Sequence, residues 1–354
     1  MRRALVLARR GWGRTAPNPL VGAVVVRDGK IVGEGFHAAY GDAHAEAAAL
    51  GAAGERARGA DVYVTLEPCA HHGKTPPCVD ALIAAGVRRV IVAARDPNPL
   101  AAGGIDRLRQ AGIAVTVGVE QDAAEELNAS FLFVQRESAR PFVTLKLAVS
   151  LDGMLASADR SQRWLTGEKA RKEVHRIRAG VDAVAVGIGT ALADDPALTV
   201  RFGRRPRVAP RRVVFDPKAR LPPLNQLART AKQVPTWVVA DAPDLAARTA
   251  LERTGVRVLE ARGLDAQLGL LRGEGIHHLL VEGGAGMAGA LLSGGFVDRL
   301  IIFQAPVLLG AGALAAFGSV SLGAGFPERW RVIECRSFDD DTMTSYAPLP
   351  AAGR

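Results

Sequence analysis

The chain has 354 residues, too many for one ordinary hydrophobic core, so about two domains are expected. Hydrophobic residues make up 48% and charged residues 23%, which excludes a disordered chain, and three cysteines exclude a disulfide scaffold and favour a reducing, cytoplasmic setting. The net charge of +9 suits nucleic acid, phosphorylated small molecules or simply an arginine-rich solvated surface, and with 5% aromatic residues the chain lacks the interleaved aromatics of a single-stranded nucleic-acid platform.

Arg2 and Arg3 precede an apolar stretch limited to Ala4–Ala8, shorter than a signal-peptide core and without a small-residue cleavage site, so it reads as a first helix. Strand-like segments follow at 20–26, 30–36, 60–66, 90–93 and 114–117, with helical stretches at 43–53, 79–85 and 103–111. Two consecutive strands and then strands alternating with helices predict a layered α/β sheet. Residues 120–136 read as one helix, and Glu137–Pro141 breaks the pattern, giving domains 1–139 and 140–354.

The second half restarts with a strand at 142–147. Further strands are expected at 181–186, 212–215, 236–240, 257–259, 278–281 and 300–304, and a helix at 167–179. The segment 201–223 reads as a long exposed connection carrying the densest basic cluster, Arg201, Arg204, Arg205, Arg207, Arg211 and Arg212. The least polar run, 300–326, is broken by Pro306 and many glycines, so no membrane span is expected.

The chemistry is concentrated in His44-Ala45-Glu46, followed by Pro68-Cys69 and Pro77-Cys78. One imidazole and two thiols are three ligands for tetrahedral zinc, leaving a fourth position for water, whose pKa zinc lowers to about 7. Glu46 is not needed as a ligand and stands close enough to carry protons. Zinc nucleobase deaminases use this set, although their usual motif is P-C-x-x-C and here eight residues separate the thiols. A structural zinc, or two buried thiols, is the other reading of these residues; it leaves Glu46 unexplained. Cys335 is left over as a buried or incidental thiol.

Gly284-Ala285-Gly286-Met287-Ala288-Gly289 spells G-x-G-x-x-G after a strand and opens an apolar helix. A Rossmann reading is disfavoured, because no acidic residue ends the next strand and the motif lies late in its domain. Small residues at a helix start still favour a phosphate there; a tight turn with no ligand is the alternative.

Ala16-Pro17-Asn18-Pro19-Leu20-Val21-Gly22, His37, His44-Ala45-Glu46 and the Glu67–Cys78 run resemble the deaminase half of the bifunctional riboflavin-biosynthesis deaminase–reductases (RibD type). Leu145–Gly153, Leu192–Arg201 and Val281-Glu282-Gly283-Gly284 resemble their reductase half, so the likeness covers nearly the whole chain in the expected order. It implies a cytidine-deaminase-like three-layer α/β/α domain followed by a dihydrofolate-reductase-like α/β domain. The implied reactions are zinc-dependent deamination of 2,5-diamino-6-(5-phosphoribosylamino)pyrimidin-4-one and NADPH-dependent reduction of 5-amino-6-(5-phosphoribosylamino)uracil.

Carried over by motif, His44, Cys69 and Cys78 would hold Zn2+ with Glu46 catalytic, and Asn18, His37, His71 and Lys74 would contact the first substrate. In the second half, Ala148, Trp164, Thr190, Asp194, Gly284, Ala285, Gly286, Met287, Ala288, Gly289 and Ala290 would line NADPH. Gln162, Arg178, Leu198, Arg201 and Glu282 would contact the sugar-phosphate substrate, with Lys146 near the reacting centre. Two positions depart from the family pattern: Gln162 stands where Ser is usual, and Pro217 replaces a small hydroxyl residue. Expected partners are phosphorylated pyrimidines and a second copy of the chain through the reductase domain, with neither nucleic acid nor membrane. Rival readings are a nucleic-acid deaminase with an accessory domain, suggested by the charge, and a chain retaining only one active half.

Overall fold

The computed structural model describes residues 1–72, 76–99, 101–136, 138–159, 164–318, 320 and 329–349. The chain forms two compact units, one of residues 1–138 with 206–208, the other of residues 139–205 with 209–354.

The first unit contains α1 (Arg2–Ala8), β1 (Gly22–Arg27), β2 (Lys30–Phe36), α2 (Ala45–Ala53), β3 (Asp61–Leu66), α3 (Cys78–Ala84), β4 (Arg89–Ala94), α4 (Gly104–Gln110), β5 (Ala114–Val117), α5 (Gln121–Leu127) and α6 (Ala129–Gln135). Its sheet runs β2-β1-β3-β4-β5, with β1 antiparallel to β2 and β3, and β3, β4 and β5 parallel. The strands are apolar on both faces because both are covered. Ala23, Val25, Val62, Val64, Val90 and Val92 pack under α2, α3 and α4, while Val24, Tyr63, Leu66 and Ala93 turn to α1 and α5. This is the three-layer α/β/α arrangement. One close approach fixes α2: a Cβ at Gly35 would fall 2.3 Å from the Ala45 carbonyl oxygen, so only glycine lets the start of α2 rest on β2.

The second unit contains β6 (Phe142–Val149), β7 (Met154–Ala156), α7 (Glu168–Arg178), β8 (Ala183–Gly187), α8 (Ile188–Asp194), β9 (Arg211–Phe215), α9 (Gln226–Arg229), β10 (Thr236–Ala240), α10 (Leu245–Thr254), β11 (Arg257–Glu260), α11 (Leu264–Gly273), β12 (His278–Glu282), α12 (Ala285–Ser293), β13 (Arg299–Gln304), β14 (Leu314–Ala315), β15 (Trp330–Phe338) and β16 (Asp341–Pro348). Nine strands run β11-β10-β9-β8-β12-β6-β13-β16-β15, all parallel except the last two pairings. Helices α7 to α10 cover one face and α11 and α12 the other.

Three segments depart from the sequence expectations. Residues 120–136 form two helices, broken at Asn128, whose side chain leaves the helix to pair with both backbone groups of Leu20 (2.8 and 2.9 Å). The Arg-rich connection is not uniformly exposed. Arg212 is 1% exposed and donates to the carbonyls of Ala197, Leu227 and Val234 and to the Thr230 hydroxyl. The β15–β16 hairpin was not expected; charged Arg331, Glu334 and Arg336 on the edge strand β15 obscure its alternation. Cys335, on that strand, is exposed.

Candidate active site

In the first unit the site assembles from loop ends at one rim of the sheet. His44 is the N-cap residue of α2, in extended conformation, and Glu46 lies in the first turn of that helix. Cys69 follows β3, and Cys78 is the first residue of α3, after Pro77 as N-cap. The His44 Nδ1 lies 3.2 Å from Cys78 Sγ and 3.6 Å from Cys69 Sγ, and the three ligand atoms all fall within 4.8 Å of one another. One nitrogen and two sulfurs bound tetrahedrally to a single zinc would stand about 3.6 Å apart (N to S), so the donor set fits the ion.

The electrostatics suit a cation. Cys69 is driven down to about 4, by hydrogen bonding with Cys78 and then with His44, while Cys78 is pushed up by the same shared proton and by burial. Glu46 is 3% exposed, and its burial raises the carboxyl to about 7. His44 is pushed up by its hydrogen bond with Cys69.

A cavity of about 290 Å³ opens on these groups. Its wall includes Asn18, His37, His44, Glu46, Cys69 and His71, so six of the expected residues meet at one place. Lys74 lies outside the described residues. His37 Nδ1 is 3.2 Å from the Ala43 carbonyl, which can only accept, so that nitrogen carries the proton. Nε2 is therefore an acceptor, and Asn18 Nδ2 donates to it at 3.1 Å. Burial lowers the pKa of His37 and favours this neutral form.

Asp96 and Asn98 also line the cavity and were missed from the sequence. The run Asp96-Pro97-Asn98-Pro99 follows the carboxyl end of a parallel strand, where open α/β sheets bind ligands, and that position was the available signal. Burial raises Asp96, and Glu67, buried nearby, accepts from the backbone N–H groups of Gly103 and Ile105 (both 3.1 Å).

In the second unit, Lys146 on β6 and Glu282 on β12 are register partners on adjacent parallel strands. Arg178, at the end of α7, grips Glu282 with Nε (2.5 Å) and Nη2 (2.8 Å) and donates from Nη1 to the Thr199 carbonyl (3.0 Å). Burial alone would raise the Glu282 carboxyl. The Arg178 charge and hydrogen bonds, then Lys146, overcome it and hold the group at about 2. Burial lowers the pKa of Lys146, with Glu282 opposing. Leu198, buried, and Arg201, exposed, stand on the segment after α8.

Gly284 is the N-cap of α12, and a Cβ there would lie 3.1 Å from the Thr190 hydroxyl of α8, so these two expected residues adjoin. Ala285 lines a second cavity of about 300 Å³ with Ser157, Ala158, Gly312, Ala313, Leu314, Ala315 and Gly318, none of which the motifs indicated. Gly286, Met287, Ala288, Gly289 and Ala290 continue α12, where Ala288 packs in the core. Ala148 lies on β6, Asp194 is exposed at the end of α8, and Trp164 is 54% exposed with the Arg171 guanidinium 5.4 Å above its ring. Gln162 lies outside the described residues. Pro217 follows β9, and its carbonyl accepts from Asp241 N–H at 3.0 Å.

Residues 141–344 match the family model of the RibD C-terminal domain, and residues 1–94 match the cytidine and deoxycytidylate deaminase zinc-binding region. The riboflavin biosynthesis protein RibD of Aquifex aeolicus is 46% identical over 315 residues, covering 88% of this chain and 87% of its own. That of Escherichia coli is 45% identical, covering 88% of each chain. A solved RibD of Acinetobacter baumannii superimposes with a TM-score of 0.83 at 40% identity, covering 99% of this chain and 98% of that one. A diaminohydroxyphosphoribosylaminopyrimidine deaminase/5-amino-6-(5-phosphoribosylamino)uracil reductase of Thermotoga maritima gives 0.84 at 34% identity, covering 99% and 97%. With a zinc-type deaminase region ahead of a RibD reductase region, and relatives alike over most of their length, the chain belongs to the RibD family of bifunctional riboflavin-biosynthesis deaminase–reductases, whose cofactors are zinc and NADPH.

Proposed function

We propose that residues 1–139 deaminate 2,5-diamino-6-(5-phosphoribosylamino)pyrimidin-4-one and that residues 140–354 reduce the product to its ribitylamino form. The observation carrying this reading is that His44, Glu46 and Cys69 open on the same cavity as Asn18, His37 and His71. In the first half His44, Cys69 and Cys78 would hold zinc, which as a Lewis acid would supply an activated water for attack on the amine-bearing ring carbon. Glu46 accepts one proton of that water and passes it to the ring nitrogen, then takes the second proton from the hydroxyl now on the ring carbon and gives it to the departing amine, so that the C–N bond breaks as the carbonyl forms and ammonia leaves. A buried carboxyl beside the reacting carbon is placed to take and give a proton in turn.

Asn18 and His37 hold the base. Because the Asn18 amide nitrogen is committed to His37 Nε2, its Oδ1 is the atom that accepts from an N–H of the pyrimidine. His71 borders the phosphate end, with Lys74 as a point charge.

In the second half bound NADPH would supply the hydride for ribose C1′. Ala148, Trp164, Thr190, Asp194 and the α12 start from Gly284 to Ala290 line the cofactor. Opening of the ribose ring leaves an oxygen that must gain a proton, and Lys146 gives it. Its neighbour Glu282 keeps a full negative charge that favours the ammonium before transfer. Gln162, Arg178, Leu198 and Arg201 hold the sugar phosphate. The test follows ammonia release and NADPH oxidation together on purified protein given the diaminopyrimidine ribotide, with and without a zinc chelator. Ammonia followed by NADPH consumption, both lost when deamination is blocked by chelation, is expected. Neither signal from folded, zinc-loaded protein overturns the assignment.

A further inference from the structure

We propose that His175 is a positioning residue of the reductase site, holding the backbone after α8 so that Arg201 meets the sugar phosphate beside Arg178. The inference rests on the reading that Arg178 and Arg201 bind that phosphate. His175 sits on α7 one turn before Arg178 and is 4% exposed. No motif in the sequence pointed to it.

Residues 195–201 belong to no helix or strand, so nothing in the sheet fixes them. Asp195 and Leu198 adopt left-handed backbone conformations (φ 41° and 50°), which non-glycine residues hold only when surroundings impose them. Side chains hold the backbone beside them. Arg212 Nη1 donates to the Ala197 carbonyl, Arg178 Nη1 donates to the Thr199 carbonyl, and the Arg201 N–H donates to His175 Nδ1 at 3.1 Å. The Phe202 ring meets the imidazole edge to face at 5.0 Å. Thus two residues one turn apart on α7 pin the strap at alternate positions, 199 and 201. Arg178 contributes charge as well, and His175 accepts at Nδ1 while its ring also hydrogen-bonds the Thr199 backbone.

That role demands an unprotonated Nδ1. Burial, then the neighbouring Arg178 and Arg201 charges, push the imidazole down to about 4, so Nδ1 is free to accept near neutral pH. A neutral histidine also avoids a third positive charge beside two arginines. A residue serving only to fill space would need no acceptor at this point, and the two roles therefore separate by substitution. Phenylalanine keeps a ring against Phe202 and cannot accept. Asparagine loses the ring, yet its Oδ1 stands close to where Nδ1 stood.

The experiment measures reductase kinetics of the full-length, zinc-loaded protein with 5-amino-6-(5-phosphoribosylamino)uracil and NADPH. His175→Phe is expected to raise KM for the ribotide about tenfold, with kcat within about twofold and KM for NADPH unchanged, the size expected for one lost hydrogen bond at a binding loop. His175→Asn is expected to stay within about threefold of the parent. An unchanged ribotide KM in His175→Phe, or His175→Asn as impaired as His175→Phe, overturns the inference. Should His175→Phe fail to fold by circular dichroism, His175→Asn decides alone: a tenfold rise in its ribotide KM overturns the inference. Arg201→Met, run in parallel, separates the two claims. If it leaves the ribotide KM unchanged, the phosphate reading fails; if it raises KM and His175→Phe does not, only the positioning role fails.

Discussion

Gly104 is not one of the expected zinc ligands, yet its replacement by alanine should cost the protein its zinc. A Cβ at this position would lie 1.9 Å from the Pro68 carbonyl oxygen, whereas ordinary contact begins at 3.4 Å. Something must move by about 1.5 Å, and the obstacle is backbone, not the end of a flexible side chain. Gly104 opens α4, which is anchored through the Glu67 carboxylate to the segment Glu67-Pro68-Cys69 itself. The strain therefore falls on the peptide next to a ligand. Metal sites tolerate ligand displacements of only about 0.2 Å. A shift several times larger should weaken zinc binding at least as much as loss of an outer-shell partner does, about 10- to 100-fold. The assay is competitive removal of zinc by a chelator of known affinity, with ammonia release and NADPH oxidation read on the same samples. Gly104→Ala should lose zinc and deamination and keep reduction. A variant that holds zinc as tightly as the parent would refute the argument that this glycine sets the place of Cys69.

Other consequences follow from single interactions. Asn128→Asp replaces the donor to the Leu20 carbonyl by an oxygen, releasing the loop that carries Asn18. Deamination KM should rise about tenfold, consistent with an unsatisfied group costing about 1–3 kcal/mol, while reduction is untouched in steady-state assays. Glu282→Gln strands the Arg178 and Lys146 charges in the interior. Urea titration should show about 3–5 kcal/mol lost, and adding Arg178→Met should recover part of the stability and none of the reductase activity. The histidines give a pH signature. Burial pushes His175 and His278 down to about 4, below the ordinary 6.5, so the unfolded chain binds protons that the folded chain refuses. Their contribution is complete above pH 6.5 and is lost as pH falls toward 4, at up to about 1.4 kcal/mol per pH unit for each group. Melting temperature measured from pH 7 to 4 should fall accordingly, and more gently in His175→Asn; identical slopes would contradict the assignment.

The deaminase site was legible because its chemistry restricts residue types. Few side chains ligate zinc, so His44, Cys69 and Cys78 stood out in a chain with three cysteines, and the structure brings them within reach of one ion. Apart from the β15–β16 hairpin, the strands of the two large sheets were legible from their apolar runs, since both faces are covered. What the sequence concealed depends on partners distant along the chain. Asn128 looked like a helical residue, because its true partner, Leu20, lies in another element. Arg212 looked like surface charge, because the carbonyls that bury it come from Ala197, Leu227 and Val234. His175 carries no motif; its role exists only where the strap folds back onto α7. The α12 start was visible as a glycine pattern, but the opposite wall of its cavity, Ser157, Ala158 and Gly312–Ala315, has no distinctive composition.

Two chemically independent sites on one chain, the first turning on Glu46, should be separable by a single substitution. The most direct measurement is Glu46→Gln in the full-length protein, assayed separately for ammonia release from the diaminopyrimidine ribotide, for NADPH oxidation with the deaminated ribotide, and for bound zinc. Glu46→Gln is expected to release no ammonia, to oxidise NADPH at the parental rate and to retain one zinc. Ammonia release at the parental rate would remove Glu46 from the mechanism, and loss of reduction alongside it would contradict the independence of the two sites.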